Sequence, residues 1–216
     1  HYLSVMELPP FAPALAAGER LWLAPFANGR TYADCLPRRG RMIAGDYPRY
    51  DNGLGRVITF EDALNDCRTR NGEIPYALTD AATMGLLSAY ARSLSDGMRV
   101  EVRVEGAGAR AAYEDGRRTF HRRLGQLNFS CAQCHVDHAG NRLGAVTLSM
   151  AIGQSTHWPV FQDGERPVTL QQRYAECLRR VRHVPEAAGS ARMNNLEYYH
   201  SHLSNGLEMH ASVYRR

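Results

Sequence analysis

The chain has 216 residues, 44% of them hydrophobic and 22% charged, with a formal net charge of +4 from 26 basic residues, all arginine, against 22 acidic ones. That length allows one large core or two small ones, and so mild a basic balance, with no nucleic-acid-binding motif beside it, argues against a nucleic-acid binder. No apolar run approaches the roughly 18 residues a membrane span needs, and no signal peptide is visible at His1, so the chain reads as a mature, soluble form.

In chain order, the first expected helix carries Gly18 and Trp22. Cys35 follows, then Tyr47, Pro48 and Tyr50, then Thr59 and Cys67, then a helix with Met84, Leu87, Tyr90 and Leu94 before Ser95 and Gly97. Residues 99–104 alternate charged and apolar like a short strand, and Glu105-Gly106-Ala107-Gly108 has the composition of a linker. Beyond it the same order returns: Gly116 and Phe120, Cys134, Trp158, Pro159 and Phe161, Thr169 and Cys177. Met193, Leu196, Tyr199, Leu203, Ser204 and Gly206 complete it at a constant offset of 109. Matches in fixed order and at slowly changing offset indicate two copies of one unit. The spacing of Met193, Leu196, Tyr199 and Leu203 puts them on one helical face. Ser204-Asn205-Gly206 stops that helix, since Asn and Gly tolerate a left-handed cap.

Only the second copy contains Cys131-Ala132-Gln133-Cys134-His135. Two thiols flanking two residues and followed at once by His is the spacing that anchors c-type haem: the thiols add across the vinyl groups and His135 supplies the proximal nitrogen to iron. A zinc site would want a second ligand pair at tight spacing, which the chain lacks. Each copy opens with a glycine-and-aromatic helix and closes with an apolar-faced one, as in the small cytochrome c fold. The expected fold is therefore mainly α, with two cytochrome c-like domains in tandem, 1–105 and 106–216, and one covalently bound c-type haem in the second alone. In the first, Tyr32 and Leu36 hold the places of Cys131 and His135. Bacterial thioether attachment takes place on exported chains, which implies a periplasmic location.

Five cysteines are an odd number for an oxidising compartment. Cys131 and Cys134 are taken up by haem. Cys35 and Cys67 match Cys134 and Cys177, so if both copies fold alike they lie where a haem would have been and are expected to form a disulfide. Cys177 is then the unpaired thiol. Thr169-Leu170-Gln171-Gln172 reads as a capping box opening a helix, and Leu170, Tyr174, Cys177 and Val181 recur at four, three and four. Cys177 thus faces inward in the haem-bearing copy, a candidate distal iron ligand opposite His135. Its rivals are Met150, Met193, Met209, His138, His157, His200 and His202; Met193 matches Met84 and reads as core, the histidines as surface or lining residues. Arg173, one turn before Cys177, is placed to depress the thiol pKa and cradle an oxyanion, whereas the first copy has Ala63 there. The competing reading is a solvated arginine on a helix that also carries Arg179, Arg180 and Arg182. A thiolate on iron lowers the reduction potential relative to methionine, which suits sulfur chemistry better than simple electron carriage.

With these features the chain resembles the SoxA family, cytochrome c subunits of the SoxAX complex of bacterial thiosulfate oxidation. The resemblance covers nearly the whole chain. It rests on Gly45-Asp46-Tyr47-Pro48 with Tyr50-Asp51, Gly125-Gln126-Leu127-Asn128-Phe129-Ser130 before the haem motif, Arg173-Tyr174 before Cys177, and Asn195-Leu196-Glu197-Tyr198 before Ser204-Asn205-Gly206-Leu207. It implies an L-cysteine S-thiosulfotransferase that oxidatively conjugates thiosulfate to a cysteine of the SoxYZ carrier and passes electrons to the cytochrome SoxX. By the same resemblance, Cys177 matches the family's active-site cysteine, which ligates haem iron and can carry a persulfide, and Arg173 matches the arginine that binds the sulfonate end. Lacking the first signature, the chain resembles the single-haem type. Two other readings stay open: a plain electron-transfer cytochrome in which Cys177 only tunes the potential, and a thiosulfate dehydrogenase forming tetrathionate without a carrier.

Overall fold

Apolar residues at helical spacing build the first element, α1 (Ala12–Leu23), which has Pro13 in its first turn and buries Ala14, Gly18 and Trp22 as one stripe. The computed structural model describes residues 9–162, 166–210 and 213–214. A helical turn, Tyr32–Cys35, leads into the hairpin β1 (Arg49–Asp51) and β2 (Arg56–Ile58), paired antiparallel. α2 (Phe60–Arg70) starts at Thr59, whose hydroxyl accepts from the Asp62 amide while Asp62 caps the Thr59 amide in return. A π-turn, Ala81–Gly85, leads into α3 (Leu86–Ser93), which packs across α1.

The second half repeats this order. α4 (Gly106–His121) is followed by a π-turn over the haem motif, Gln133–Asp137, and by the small hairpin β3 (Arg142–Leu143) and β4 (Val146–Thr147), which has no counterpart among the described residues of the first half. β5 (Val160–Gln162) and β6 (Arg166–Val168) reproduce the β1–β2 hairpin, and α5 (Leu170–Arg180) is capped by Thr169 as α2 is by Thr59. α6 (Ala191–His202) packs across α4, and β7 (Val213–Tyr214) adds to β5 in parallel. The correspondence extends to the backbone: Tyr47-Pro48 and Trp158-Pro159 are both cis. At each helix crossing a glycine lets the backbones touch. A Cβ at Gly18 would land on the carbonyl of Leu86 and one at Gly116 on that of Asn195, again an offset of 109.

Each half has its own core. Leu64, Met84 and Leu87 are fully buried in the first, and Met193 and Leu196 are 2% exposed in the second. Burying such side chains contributes roughly 1.5–3 kcal/mol each. In the first half Tyr32, 1% exposed, stacks on Trp22 at 5.4 Å between ring centres and meets Phe26 edge-on at 5.0 Å, with Leu36 also in that core. Aromatic packing thus fills the side where the second half carries its haem-motif residues. Cys35 and Cys67 are joined there in a disulfide with Cα atoms 5.9 Å apart. Since it closes a loop of 32 residues, replacing both cysteines by serine is expected to lower stability by about 3–4 kcal/mol. Denaturant titration of the double variant measures this, and an unchanged midpoint would show that the crosslink constrains nothing.

Two expectations are corrected. Glu105-Gly106-Ala107-Gly108 is not a linker: Glu105 stands at the N-cap position of α4 without a side-chain cap bond, and Gly106 to Gly108 form its first turn, because the alanines that follow are good helix formers and Ala109, Ala112, Gly116 and Phe120 supply a buried stripe. Residues 99–104 are extended, with Val100 and Val102 buried as the alternation predicts, yet they form no regular strand and make one isolated bridge, Arg99 to Glu208. The Glu101 amide donates to the Gly45 carbonyl in the first half at 2.8 Å, and other backbone groups of the segment go to the second half. The Val100 amide donates to the Leu207 carbonyl at 2.9 Å, and the Asn205 side chain bonds both the amide and the carbonyl of Val102 at 2.8 and 2.9 Å. Tyr198 Oη donates to the Arg103 carbonyl, and Met209 is buried in the first half's core. The halves are interlocked rather than strung together.

Candidate haem and thiol site

The haem motif begins with a reciprocal cap. Ser130 Oγ accepts from the Gln133 amide and Gln133 Oε1 accepts from the Ser130 amide, both at 3.1 Å, so the two thiols and His135 are held on a tight turn. Immediately before it, Gly125 adopts φ +70°, and a Cβ there would collide with the carbonyl of Val181 at the end of α5. The Leu127 amide donates to that same carbonyl at 3.3 Å. The Gly125 segment therefore clamps the end of the Cys177 helix onto the strand of chain that delivers Cys131.

A cavity of about 640 Å³ opens between these elements, lined by Cys131, Cys134, His135, Arg173 and Cys177, with Phe120, Leu170 and Leu196 among its apolar walls. It falls within the ~300–1,000 Å³ of cofactor sites. All the site residues expected around haem thus meet at one cavity. Their donor set fits the group: paired thiols on the motif, an imidazole, a third thiol on α5 and apolar walls for a porphyrin. The imidazole is oriented for a metal. His135 Nδ1 donates to the Ser149 carbonyl at 2.7 Å, while Gln154, 2.9 Å away, spends its amide on Ser149 Oγ. That tautomer leaves the Nε2 lone pair available. Burial and the nearby Arg173 charge hold the ring below its ordinary pKa, which keeps it neutral as a ligand must be.

Arg173 lies where the spacing predicts, but its charge is shared: Nη1 pairs with Glu176 Oε2 at 2.8 Å. Arg173 pulls the Cys177 thiol pKa down as expected, but the net shift is upward. Burial pushes it up and outweighs the downward pull of Arg173 and Arg180, helped by the Glu176 charge. Cys131 is driven higher, to about 12, by burial and then by Cys177. Burial raises the Cys134 thiol as well, so the cavity of the folded chain holds neutral thiols.

Among the rivals for the distal position, only Met193 and His200 line the cavity beside Cys177. His200 has both nitrogens engaged, Nδ1 accepting from Tyr174 Oη at 2.7 Å and Nε2 donating to the Ala151 carbonyl at 3.2 Å; burial holds it at about 4, hence neutral. Met150 is 59% exposed, Met209 is in the other core, and His202 packs edge-on against Tyr113. Sequence reasoning missed several lining residues. Arg180 is exposed as a solvated arginine would be, yet its spacing, three beyond Cys177, puts it at the cavity; Arg122, Arg192 and His183 also line the cavity, and the Ser149 carbonyl has no signal in the sequence at all.

The family model for the SoxA/TsdA cytochrome c domain matches residues 17–100 and 115–209. The L-cysteine S-thiosulfotransferase subunit SoxA of Allochromatium vinosum is 42% identical over 217 residues, spanning 99% of this chain and 76% of that protein. The chain belongs to the SoxA family. The SoxA subunit of Chlorobaculum tepidum is 39% identical over 211 residues, covering 97% of the chain and 73% of its own length. Among solved structures, SoxXA from P. pantotrophus matches with a TM-score of 0.87 at 31% identity, over 96% of this chain and 79% of that one. A SoxA cytochrome c domain implies haem, and no helix among the described residues is long and apolar enough to cross a membrane.

Proposed function

We propose that the chain is the catalytic subunit of a periplasmic L-cysteine S-thiosulfotransferase, with two cytochrome c domains, 1–105 and 106–216, and one c-type haem in the second. SoxA relatives bearing that activity in their names align over nearly its whole length. Cys131 and Cys134 hold the haem covalently, His135 and Cys177 ligate its iron, and the bound haem supplies an electron acceptor beside the sulfur. The observation that carries the reading is that Cys177 and Arg173 line the same cavity as the haem motif. Cys177 is preferred to Met193 because Met193 has its counterpart in Met84, which is fully buried in a half without the motif and so is accounted for as core.

Arg173 binds the sulfonate end of thiosulfate, a planar cation matched to an oxyanion. The outer sulfur then joins Cys177: thiolate and thiosulfate form a Cys177–S–S–SO₃⁻ adduct and release two electrons. A cysteine thiolate of the SoxYZ carrier attacks the adduct, takes the S–SO₃⁻ group and leaves Cys177 as thiolate. Electrons pass to the partner cytochrome SoxX, whose relative accompanies SoxA in the P. pantotrophus structure. The apolar walls keep water from the adduct until the carrier arrives.

Intact-mass measurement of the holoprotein tests the cofactor count: one haem is expected, together with any extra sulfur on Cys177, and a second haem would refute the single-haem assignment. Arg173→Ala is expected to raise the apparent KM for thiosulfate roughly 10- to 100-fold, the loss of a charged hydrogen bond, with haem content unchanged. An unaltered KM would remove Arg173 from the binding role.

A further inference from the structure

Behind the haem cavity lies a second, far smaller one, between the halves. Its volume is about 10 Å³, and Arg92, Ser155, Trp158, Glu197 and Ser201 are among its walls. Leu170 and Trp158 line both cavities, so the two are separated by single side chains. The space suits one water, which needs about 10–15 Å³ and two to four polar partners. Those partners are waiting: Ser155 Oγ and Trp158 Nε1 are buried with no hydrogen-bond partner among the described residues. In an interior where buried polar groups are nearly always satisfied, two orphans around a void of this size point to an ordered water.

The same void touches a carboxyl with too little positive charge around it. Glu197, 2% exposed, accepts from Gln171 Nε2 at 3.0 Å. Facing it are Glu61 and Asp62 from α2, Arg92 from α3, Gln171 and Tyr174 from α5, and Asn194 and His200 from its own helix. Arg92 is already committed to Glu61, at 3.2 Å to each carboxylate oxygen, and Ser88 donates to the same group. Asp62 takes the Asn194 amide at 2.7 Å and has its own cation, Arg56, at 3.5 Å, and His200 is neutral, which leaves Arg92 between Glu61 and Glu197. One guanidinium therefore serves two carboxyls in this interior, and the electroneutral arrangement leaves Glu197 protonated. Burial, and then the Glu61 charge, push its carboxyl up to about 8, close to physiological pH.

We propose that Glu197, with an ordered water held by Ser155 and Trp158, is a proton site coupled to the haem, binding a proton when an electron enters and releasing it when the electron leaves. The inference rests on the haem assignment above. The balance is one for one: an electron from sulfur oxidation reduces the ferric haem, and one proton from solvent converts the Glu197 carboxylate to the acid, with no bond to the haem made or broken. The low-dielectric wall of Leu170 and Trp158 leaves the two charges poorly screened from each other, so reduction, which adds negative charge, raises the proton affinity of the carboxylate.

Spectroelectrochemical titration of the holoprotein between pH 6 and 9 reads this out. The midpoint potential is expected to fall as pH rises, with a slope toward the roughly 59 mV that a tenfold change in proton activity is worth for one electron. Glu197→Gln keeps the shape and the Gln171 contact and is expected to flatten the slope with the haem spectrum unchanged; Trp158→Phe removes Nε1 and is expected to move the sloping region along the pH axis by half a unit or more. A flat profile in the parent, or a slope surviving in Glu197→Gln, overturns the proposal. If Glu197→Gln does not fold, an unmoved profile in Trp158→Phe overturns it instead. Haem absorbance in the same samples separates the two readings: a chain without haem refutes both, and a haem-loaded chain with a pH-independent potential refutes this one alone.

Discussion

Cys177→Ala is expected to abolish thiosulfate conjugation and to leave the haem attached. As proposed, covalent attachment uses Cys131 and Cys134, which sit with His135 on a turn fixed by its own Ser130–Gln133 cap, so α5 contributes only the iron ligand Cys177 and none of the covalent links. The thiol removed is only partly buried, and its loss costs little packing. The reaction as proposed has no other sulfur to carry the S–SO₃⁻ group, and removal of a covalent nucleophile typically costs 10³-fold or more in turnover. The measurement is conjugate formation in a reconstituted system with the carrier and partner cytochrome, followed by mass. Turnover retained with only a shifted haem potential would identify a plain electron-transfer cytochrome. Tetrathionate formed without any carrier would identify a dehydrogenase.

Gly116→Val is expected to be the most destabilising single change to the fold, by about 3 kcal/mol or more. The new Cβ meets the Asn195 carbonyl and the Tyr199 Cβ, both on the rigid face of α6, so α4 and α6 must move apart as bodies. Overpacking of this kind costs about 1–3 kcal/mol for a modest intrusion, and a β-branched side chain against backbone is more than that. A loss of about 3 kcal/mol corresponds to a fall in Tm of roughly 6–12 °C for a chain of this size. The effect reaches the site, because α4 carries Phe120 and α6 carries Leu196, both cavity walls. Gly108→Ala is the control. Its Cβ would meet the phenol end of Tyr50, a side chain that can swing aside, and alanine favours the helix. Calorimetry that found Gly116→Val as stable as the parent would show that the two helices do not cross in backbone contact.

The repeat illustrates how far pattern alone reaches. Matching Gly18 to Gly116 paired the opening helices of the two units, though only the fold shows that both glycines sit at helix crossings, and matching Cys35 and Cys67 to Cys134 and Cys177 located the disulfide. Thr169 with Gln172 fixed the start of α5, and from that start the helical period put Arg173, Tyr174 and Cys177 where they are found. Pattern failed where composition imitates something else: Glu105-Gly106-Ala107-Gly108 reads as a linker but becomes the first turn of α4, because the buried stripe beginning at Ala109 outweighs two glycines.

The sequence by itself determined what is local: the thiol spacing and following imidazole, the caps, the helical faces, and the order of two like units. These follow from a few residues' backbone geometry and need no partner distant in the chain. Tertiary structure alone decided the electrostatics. Whether Arg173 or burial controls the Cys177 thiol depends on walls supplied by α4, α6 and the haem motif, and burial prevails there. The Ser149 carbonyl on His135, the Glu176 partner of Arg173, and the charge shortage around Glu197 likewise arise only when folded chain excludes water, since the cost of a charge is set by how many dipoles and counter-charges surround it, and spacing along the chain does not record that number.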